Sequence, residues 1–401
     1  MQLENRLYSF KVRNNKNKNG ALNMNFGTKL IHASGDIDPT TGSVSTPIYQ
    51  TSTFHQFDIE NFGKYDYARS GNPTRDVVEK LIAELEGGEC GFAFASGMAA
   101  ICSVLSIFSS GDHVIICGDV YGGTYRATTK LFSRFNIEFT FVDASNIEEI
   151  EKAFKENTKG LYLETPSNPL LKVTDLRAAS KLAKENGAIT IVDNTFMSPY
   201  LQRPIELGID IVVHSATKFL GGHSDVIAGL VVTKTKELGD RVYQIQNTFG
   251  AVLGPQDSWL LVRGIKTLKV RLDALQKSAQ KLAEWLESRE EVEKVYYLGL
   301  PSMEGRELHL EQADGAGAVL SFKFKTFDRT KVFLNNVKNV AVAVSLGSVE
   351  TIVSYPAKMS HASIPKEERE ELGITDTLIR VSVGLEDIDD LIESFKEAME
   401  K

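Results

Sequence analysis

Cysteine is scarce in this chain, long apolar runs are missing, and there is no surplus of positive charge. The three cysteines, Cys90, Cys102 and Cys117, lie in apolar surroundings without CxxC spacing. That pattern excludes a disulfide scaffold and fits reduced thiols in a cytoplasmic protein. The seven histidines are scattered and form no HxxxH pair, so no metal site is expected. No segment approaches the roughly 18 consecutive apolar residues of a membrane span. Asp and Glu outnumber Lys and Arg by 53 to 45, a formal net charge of -8, which leaves no basic stripe and argues against nucleic acid as a partner. With 401 residues, 42% of them hydrophobic, the chain can bury a sizeable core and suits one large and one small domain.

Residues 1–24 are rich in Asn and Lys and cannot bury surface, so they read as a disordered tail, with Met24 an alternative start. Residues 25–68 carry Thr, Ser, Pro and Tyr without a sustained period and read as an extended arm. An arm that cannot fold alone packs on a neighbour, so an oligomer is expected. A helix follows over 75–86. Short apolar strands at 114–117, 138–142, 160–164, 189–193, 211–214 and 230–232 then alternate with helical stretches such as 147–155 and 176–185. This is the pattern of an α/β protein with a mostly parallel sheet covered on both faces, whose ligands bind at the carboxyl ends of the strands. The large sheet domain is placed over 69–260. Helical segments at 259–264 and 267–287 and a second set of strands at 319–324, 340–344 and 379–383 make 261–401 a smaller α+β domain.

The chemistry concentrates in His214-Ser215-Ala216-Thr217-Lys218-Phe219-Leu220-Gly221-Gly222-His223. An apolar strand delivers two hydroxyls and a lysine, and a Gly-Gly pair lets the backbone turn tightly. A lysine at the carboxyl end of a buried strand loses hydration, which lowers its pKa and exposes a nucleophilic amine. Taken alone, the segment reads equally well as a surface lysine after an edge strand. Upstream, a strand over 92–95 meets Ser96-Gly97-Met98 at the start of a helix, where backbone N–H groups make an anion site. That signal is weak by itself, since any strand-to-helix turn can carry Ser-Gly. Polar residues also end other strands: Asp119 with Tyr121, Thr165 with Asn168, and Asp193 with Asn194. A strand-end acid is usually a turn residue or helix cap, but one that must stay ionised when buried needs a cationic partner, such as a protonated ring nitrogen. Pyridoxal 5'-phosphate accounts for the anion cradle, the acid, a stacking tyrosine and the desolvated lysine together.

The runs YARSGNPT, ASGMAAI, DVYGGTYR, ETPSNP, VDNTFMSPYLQRP, HSATKFLGGHSDV, VSLGSVE and RVSVGLED closely resemble the Cys/Met-metabolism family of pyridoxal-phosphate enzymes. The likeness extends from about Phe26 to the C-terminus, and within the family it is greatest to the bacterial cystathionine beta-lyases. It implies the type I (aspartate aminotransferase-like) fold and a homotetramer built from two active dimers. By the same resemblance Lys218 is the Schiff-base lysine and later proton shuttle, Asp193 pairs with the ring nitrogen and Tyr121 stacks on the ring. Gly97, Met98, Ser215 and Thr217 hold the phosphate, with Tyr67 and Arg69 reaching in from a neighbouring subunit. Asn168 lies near the ring hydroxyl, and Arg380 with Ser345 clamps the substrate α-carboxylate. The implied activity is carbon–sulfur bond cleavage in methionine and cysteine metabolism. Two departures bear on the choice of bond. Gly123 stands where methionine gamma-lyases typically carry cysteine, and Val344 stands where gamma-lyases and gamma-synthases commonly place glutamate. The first departs from the methionine gamma-lyase pattern, and the second removes an anchor for γ chemistry and so favours β elimination.

Overall fold

The computed structural model describes residues 24–33, 38, 40–362 and 364–401. The expected tail therefore lies, Met24 apart, outside the described residues. The segment read as an arm opens with a helix, Phe26–His32, whose Leu30 is 1% exposed. Phe26 and Leu30, four residues apart, fall on one helical face and pack against the main core, which is why this stretch is not extended. The rest of the arm pairs with itself through the isolated bridge between Thr53 and Tyr67.

Seven strands form the larger sheet: β1 (Cys90–Phe94), β2 (His113–Cys117), β3 (Glu138–Val142), β4 (Thr158–Glu164), β5 (Ile189–Asp193), β6 (Ile211–Ser215) and β7 (Gly229–Thr233). Their order is β1-β7-β6-β5-β4-β2-β3. Strands β2 to β6 are parallel to their neighbours among themselves, and β7 runs antiparallel to both β6 and β1. The reversal of β7 was not evident from alternation alone. Its physical origin is the connection over 216–228, which contains no helix to carry the chain back across the sheet before a parallel return. That connection instead stays at the carboxyl end of β6 and holds Lys218.

The helix Pro73–Glu86 begins cleanly because Asn72 accepts from the N–H groups of Thr74 and Arg75 and Pro73 takes the first turn. Ser96 plays the same part for the helix Gly97–Leu105, accepting from Ala99 N–H. A second sheet, ordered β10-β11-β12-β9-β8, joins β8 (Val292–Tyr296), β9 (Val319–Phe324), β10 (Ala341–Val342), β11 (Ile352–Ser354) and β12 (Leu378–Ser382). The strand expected over 340–344 shrinks to two residues, and β8 and β11 were not anticipated. In β8, Glu293 and Lys294 are both exposed and the register shifts between Val292 and Lys294, so the alternation that marks a strand is broken. The helix Leu268–Glu287 bridges the two cores, giving Leu268, Leu272 and Leu275 to the larger and Ala279, Leu282 and Leu286 to the smaller. Among the described residues no helix is long and apolar enough to cross a membrane.

Candidate active site

The carboxyl ends of β4, β5 and β6 open on a cavity of about 720 Å³. It is lined by Gly97, Met98, Tyr121, Asn168, Asp193, Ser215, Thr217, Lys218, Ser345 and Arg380, residues drawn from both sheets' surroundings. Tyr67 and Arg69 are not brought there. Arg69 donates to Asn247 Oδ1 at 2.9 Å and lies over the ring of Tyr67, which is 45% exposed.

Lys218 sits in a tight turn in which Gly221 N–H reaches Ala216 O and Gly222 N–H reaches Lys218 O, both at 2.8 Å. Its Nζ donates to Ser345 Oγ at 2.6 Å. Burial, with the nearby Arg380 charge, lowers its pKa to about 8 from the ordinary 10.5. The partner loop is held close: Gly347 has φ +80°, and a Cβ there would stand 2.5 Å from Phe219 N. Only glycine lets that backbone cross over the lysine turn. Ser345 itself has φ +89°, a strained conformation for a side-chain-bearing residue and one that gathers at functional sites.

At the anion end, a Cβ on Gly97 would stand 2.9 Å from Ser215 Cβ, so the helix start lies flush against the end of β6. The Thr217 hydroxyl exchanges hydrogen bonds with the Ala228 backbone, donating to its carbonyl at 3.2 Å and accepting its N–H at 3.0 Å. Beside this, Asp193 is 6% exposed, and burial raises its pKa above the usual carboxylate range. Its Oδ1 accepts from Thr195 N–H at 3.0 Å and Thr195 Oγ at 2.5 Å.

Arg380 is 3% exposed and has no carboxylate partner among the described residues. Its Nη1 donates to Asn168 Oδ1 at 3.0 Å and its Nη2 to the Ser345 carbonyl at 2.6 Å, while Nε is buried without a partner. The acids that could have neutralised it are engaged elsewhere: Glu386 accepts from Thr351 N–H at 2.7 Å, and Asp387 caps its own helix. Burial lowers the guanidinium pKa to about 10, even with Glu164 and Tyr121 acting in the opposite direction. A buried cation facing a cavity with no carboxylate in hydrogen-bond contact is costly unless a ligand carboxylate meets it.

Two polar residues that act on the candidate site residues, Glu164 and Thr195, were not singled out in the sequence. Glu164, in register with Asp193 across β4 and β5, accepts the Tyr121 N–H at 2.9 Å and so fixes the backbone of the candidate stacking residue. Its pKa is well above the ordinary carboxylate range, because of burial and then the neighbouring Asp193. Thr195 is the other. The available signal was position alone, since both end or follow strands that point into the cavity. Gly123 also has a role: a Cβ there would come within 2.4 Å of Tyr121 Cε1 and 2.6 Å of Met98 Sδ, so this glycine leaves room for both.

A flat cofactor with a phosphate, a basic ring nitrogen and a carbonyl fits these groups: the helix start at Gly97, the Asp193 carboxylate, and the desolvated Lys218 amine. The profile of the family described as "Cys/Met metabolism PLP-dependent enzyme" matches residues 27–400. The chain is 54% identical over 379 residues to a cystathionine beta-lyase of Bacillus subtilis, covering 94% of this chain and 97% of that one. It is also 54% identical to a cystathionine gamma-lyase of the same organism, covering 93% and 98%. The crystal structure of a cystathionine gamma-lyase from Lactobacillus plantarum complexed with L-serine superposes with a TM-score of 0.92 at 47% identity, covering 94% of this chain and 99% of that one.

Proposed function

This chain belongs to the Cys/Met metabolism PLP-dependent enzyme family, and from that premise we propose that it is a carbon–sulfur lyase that cleaves L-cystathionine, with one water, into homocysteine, pyruvate and ammonia. The observation that carries the reading is the pairing, in one cavity, of a deprotonatable Lys218 with a buried Arg380 that lacks a carboxylate.

Pyridoxal 5'-phosphate, when bound, supplies an electron-withdrawing ring that stabilises negative charge on the substrate α carbon. The N–H groups at the Gly97 helix start and the Ser215 hydroxyl would hold its phosphate, Asp193 would hold the ring-nitrogen proton, and Tyr121 would cover the ring. Arg380 exchanges its bonds to Asn168 and Ser345 for the substrate carboxylate, a planar two-point match. Lys218 would hold the cofactor's carbonyl carbon through its Nζ. Its free Nζ, steered by Ser345 Oγ, then takes the α proton and returns a proton to the departing thiolate.

Identity does not separate β from γ cleavage, since both kinds of relative match equally. Val344 supports the β reading: it lines the cavity mouth, 66% exposed, and offers no carboxylate to hold the distal amine of cystathionine. Keto-acid identification with cystathionine as substrate tests this directly. Pyruvate is the expected product, and 2-oxobutanoate would overturn the β assignment.

The same reading completes each cavity with Tyr67 and Arg69 of a second copy. The arm that bears them exposes Phe57 (95%), Ile59 (87%) and Phe62 (68%), an apolar surface that a partner would cover. A cytoplasmic homotetramer made of two such dimers is the assembly this implies. Mixing inactive Lys218→Ala and inactive Arg69→Ala proteins under conditions that exchange subunits should restore part of the activity, because one of the hybrid cavities then has both residues intact. No recovery after verified exchange would count against a shared site.

A further inference from the structure

Thr195 stands in the turn that leaves β5, two residues beyond Asp193, and lines the cavity. Its hydroxyl serves both sides of the site. It accepts the backbone N–H of Ser215, at the end of β6, at 2.8 Å. It donates to Asp193 Oδ1 at 2.5 Å, and the Thr195 N–H adds a second donor to the same oxygen at 3.0 Å. A hydroxyl has a single hydrogen to give. Because Ser215 N–H can only donate, it occupies a Thr195 lone pair and leaves the hydroxyl proton to Asp193. Two donors on Oδ1 favour the charged carboxylate over the acid.

We propose that Thr195 is a positioning residue that keeps Asp193 ionised and aimed at the cofactor's ring nitrogen, and that ties this carboxylate to the Ser215 backbone beside the phosphate cradle. The proposal rests on the reading of Asp193 as the ring-nitrogen partner. The surroundings of Asp193 make such a device necessary. Burial pushes its pKa up, and the Thr195 hydroxyl and N–H are the strongest influences holding it down, ahead of His214 on β6 and Tyr162 on β4. The other titratable neighbours, Glu164 on β4 and Cys117 on β2, carry no positive charge and interact with Asp193 unfavourably. The link also couples the two ends of the cofactor site mechanically, since a shift of the Ser215 backbone is passed through one hydroxyl to the Asp193 carboxylate.

The test is cofactor binding by the apoprotein, followed by visible absorbance across a pH series. Thr195→Val keeps the branched shape and removes the hydroxyl. Its Kd for pyridoxal 5'-phosphate should rise about tenfold or more, the size expected for a lost hydrogen bond to a charged group. Losing donors raises the Asp193 pKa, so protonation sets in earlier on acidification, and the acid-side loss of binding should move to higher pH than in wild type. Thr195→Ser should stay within a few-fold of wild type with an unmoved profile. In an Asp193→Asn background Thr195→Val should add little further loss, because the group it acts on is gone. Wild-type binding and pH profile in Thr195→Val would overturn the proposal, and so would a full, additive loss in the Asp193→Asn background, which marks a structural role. If Asp193→Asn itself binds the cofactor as tightly as wild type, the ring-nitrogen reading has failed and the Thr195 proposal falls with it. Should Thr195→Val not fold, Thr195→Ala beside Thr195→Ser gives the same contrast.

Discussion

Replacing Lys218 with alanine should leave a folded protein whose turnover falls by about 10⁴-fold or more, since it removes the residue proposed as both covalent anchor and proton carrier. No other lining residue can substitute. Among the described residues Lys218 is the one lysine in the cavity wall, and the two arginines there, Arg126 and Arg380, do not give up a proton. The measurement is keto-acid release from cystathionine, beside borohydride reduction of the wild-type holoenzyme and peptide mapping. Residual turnover within tenfold of wild type, or a label on another lysine, would sink the assignment. The same residue has a stability signature of opposite sign. Below pH 8 the buried amine of the apoprotein is protonated and poorly solvated. Between about 8 and the ordinary 10.5 the native state has already released its proton while the unfolded chain still holds one. The unfolded state then binds more protons, so stability rises with pH across that window. The span corresponds to about 3 kcal/mol. Apoprotein carrying Lys218→Met should therefore be more stable than wild type below pH 8, with the advantage fading toward pH 10.5. Equal melting temperatures throughout would mean that the lysine is not desolvated.

Arg380→Lys should lower kcat/KM for cystathionine by about 10- to 100-fold, from the loss of a two-point charged hydrogen bond worth about 1.5–3 kcal/mol. A lysine offers a point charge where the site is built for a planar fork. In this structure Asn168 and the Ser345 carbonyl hold the fork in place of a substrate, and Ser345 also receives Lys218, so the proposed carboxylate clamp and the lysine share one loop. Cofactor absorbance should be unchanged in the variant, because Arg380 is assigned to the substrate rather than to the cofactor. Near-normal turnover with a lowered melting temperature would instead make Arg380 a structural cation and move the carboxylate clamp elsewhere.

Local order along the chain determined much of this protein. The apolar runs ending in Asp193 and Ser215 placed both residues at the carboxyl ends of buried strands, and the hydroxyl-lysine-glycine sequence from Ser215 to Gly222 marked the tight turn that carries Lys218 into the cavity. Short-range chemistry of that kind is written in neighbouring residues, as is the cap that Asn72 gives its helix. The tertiary structure decided what depends on distant parts of the chain. Strand β7 runs antiparallel because its connection has no helix for a crossover. Glu164 becomes a buried acid beside Asp193 through the register of β4 with β5. Arg380 meets Asn168 rather than Glu386, and Thr195 joins Ser215 to Asp193, through hydrogen bonds between residues far apart in sequence. Periodicity reports which face of an element is apolar, but not which element lies against it. Side-chain partners across a cavity are fixed only when burial of both cores brings the loops after β5 and β6 and the loop bearing Ser345 to the same few ångströms.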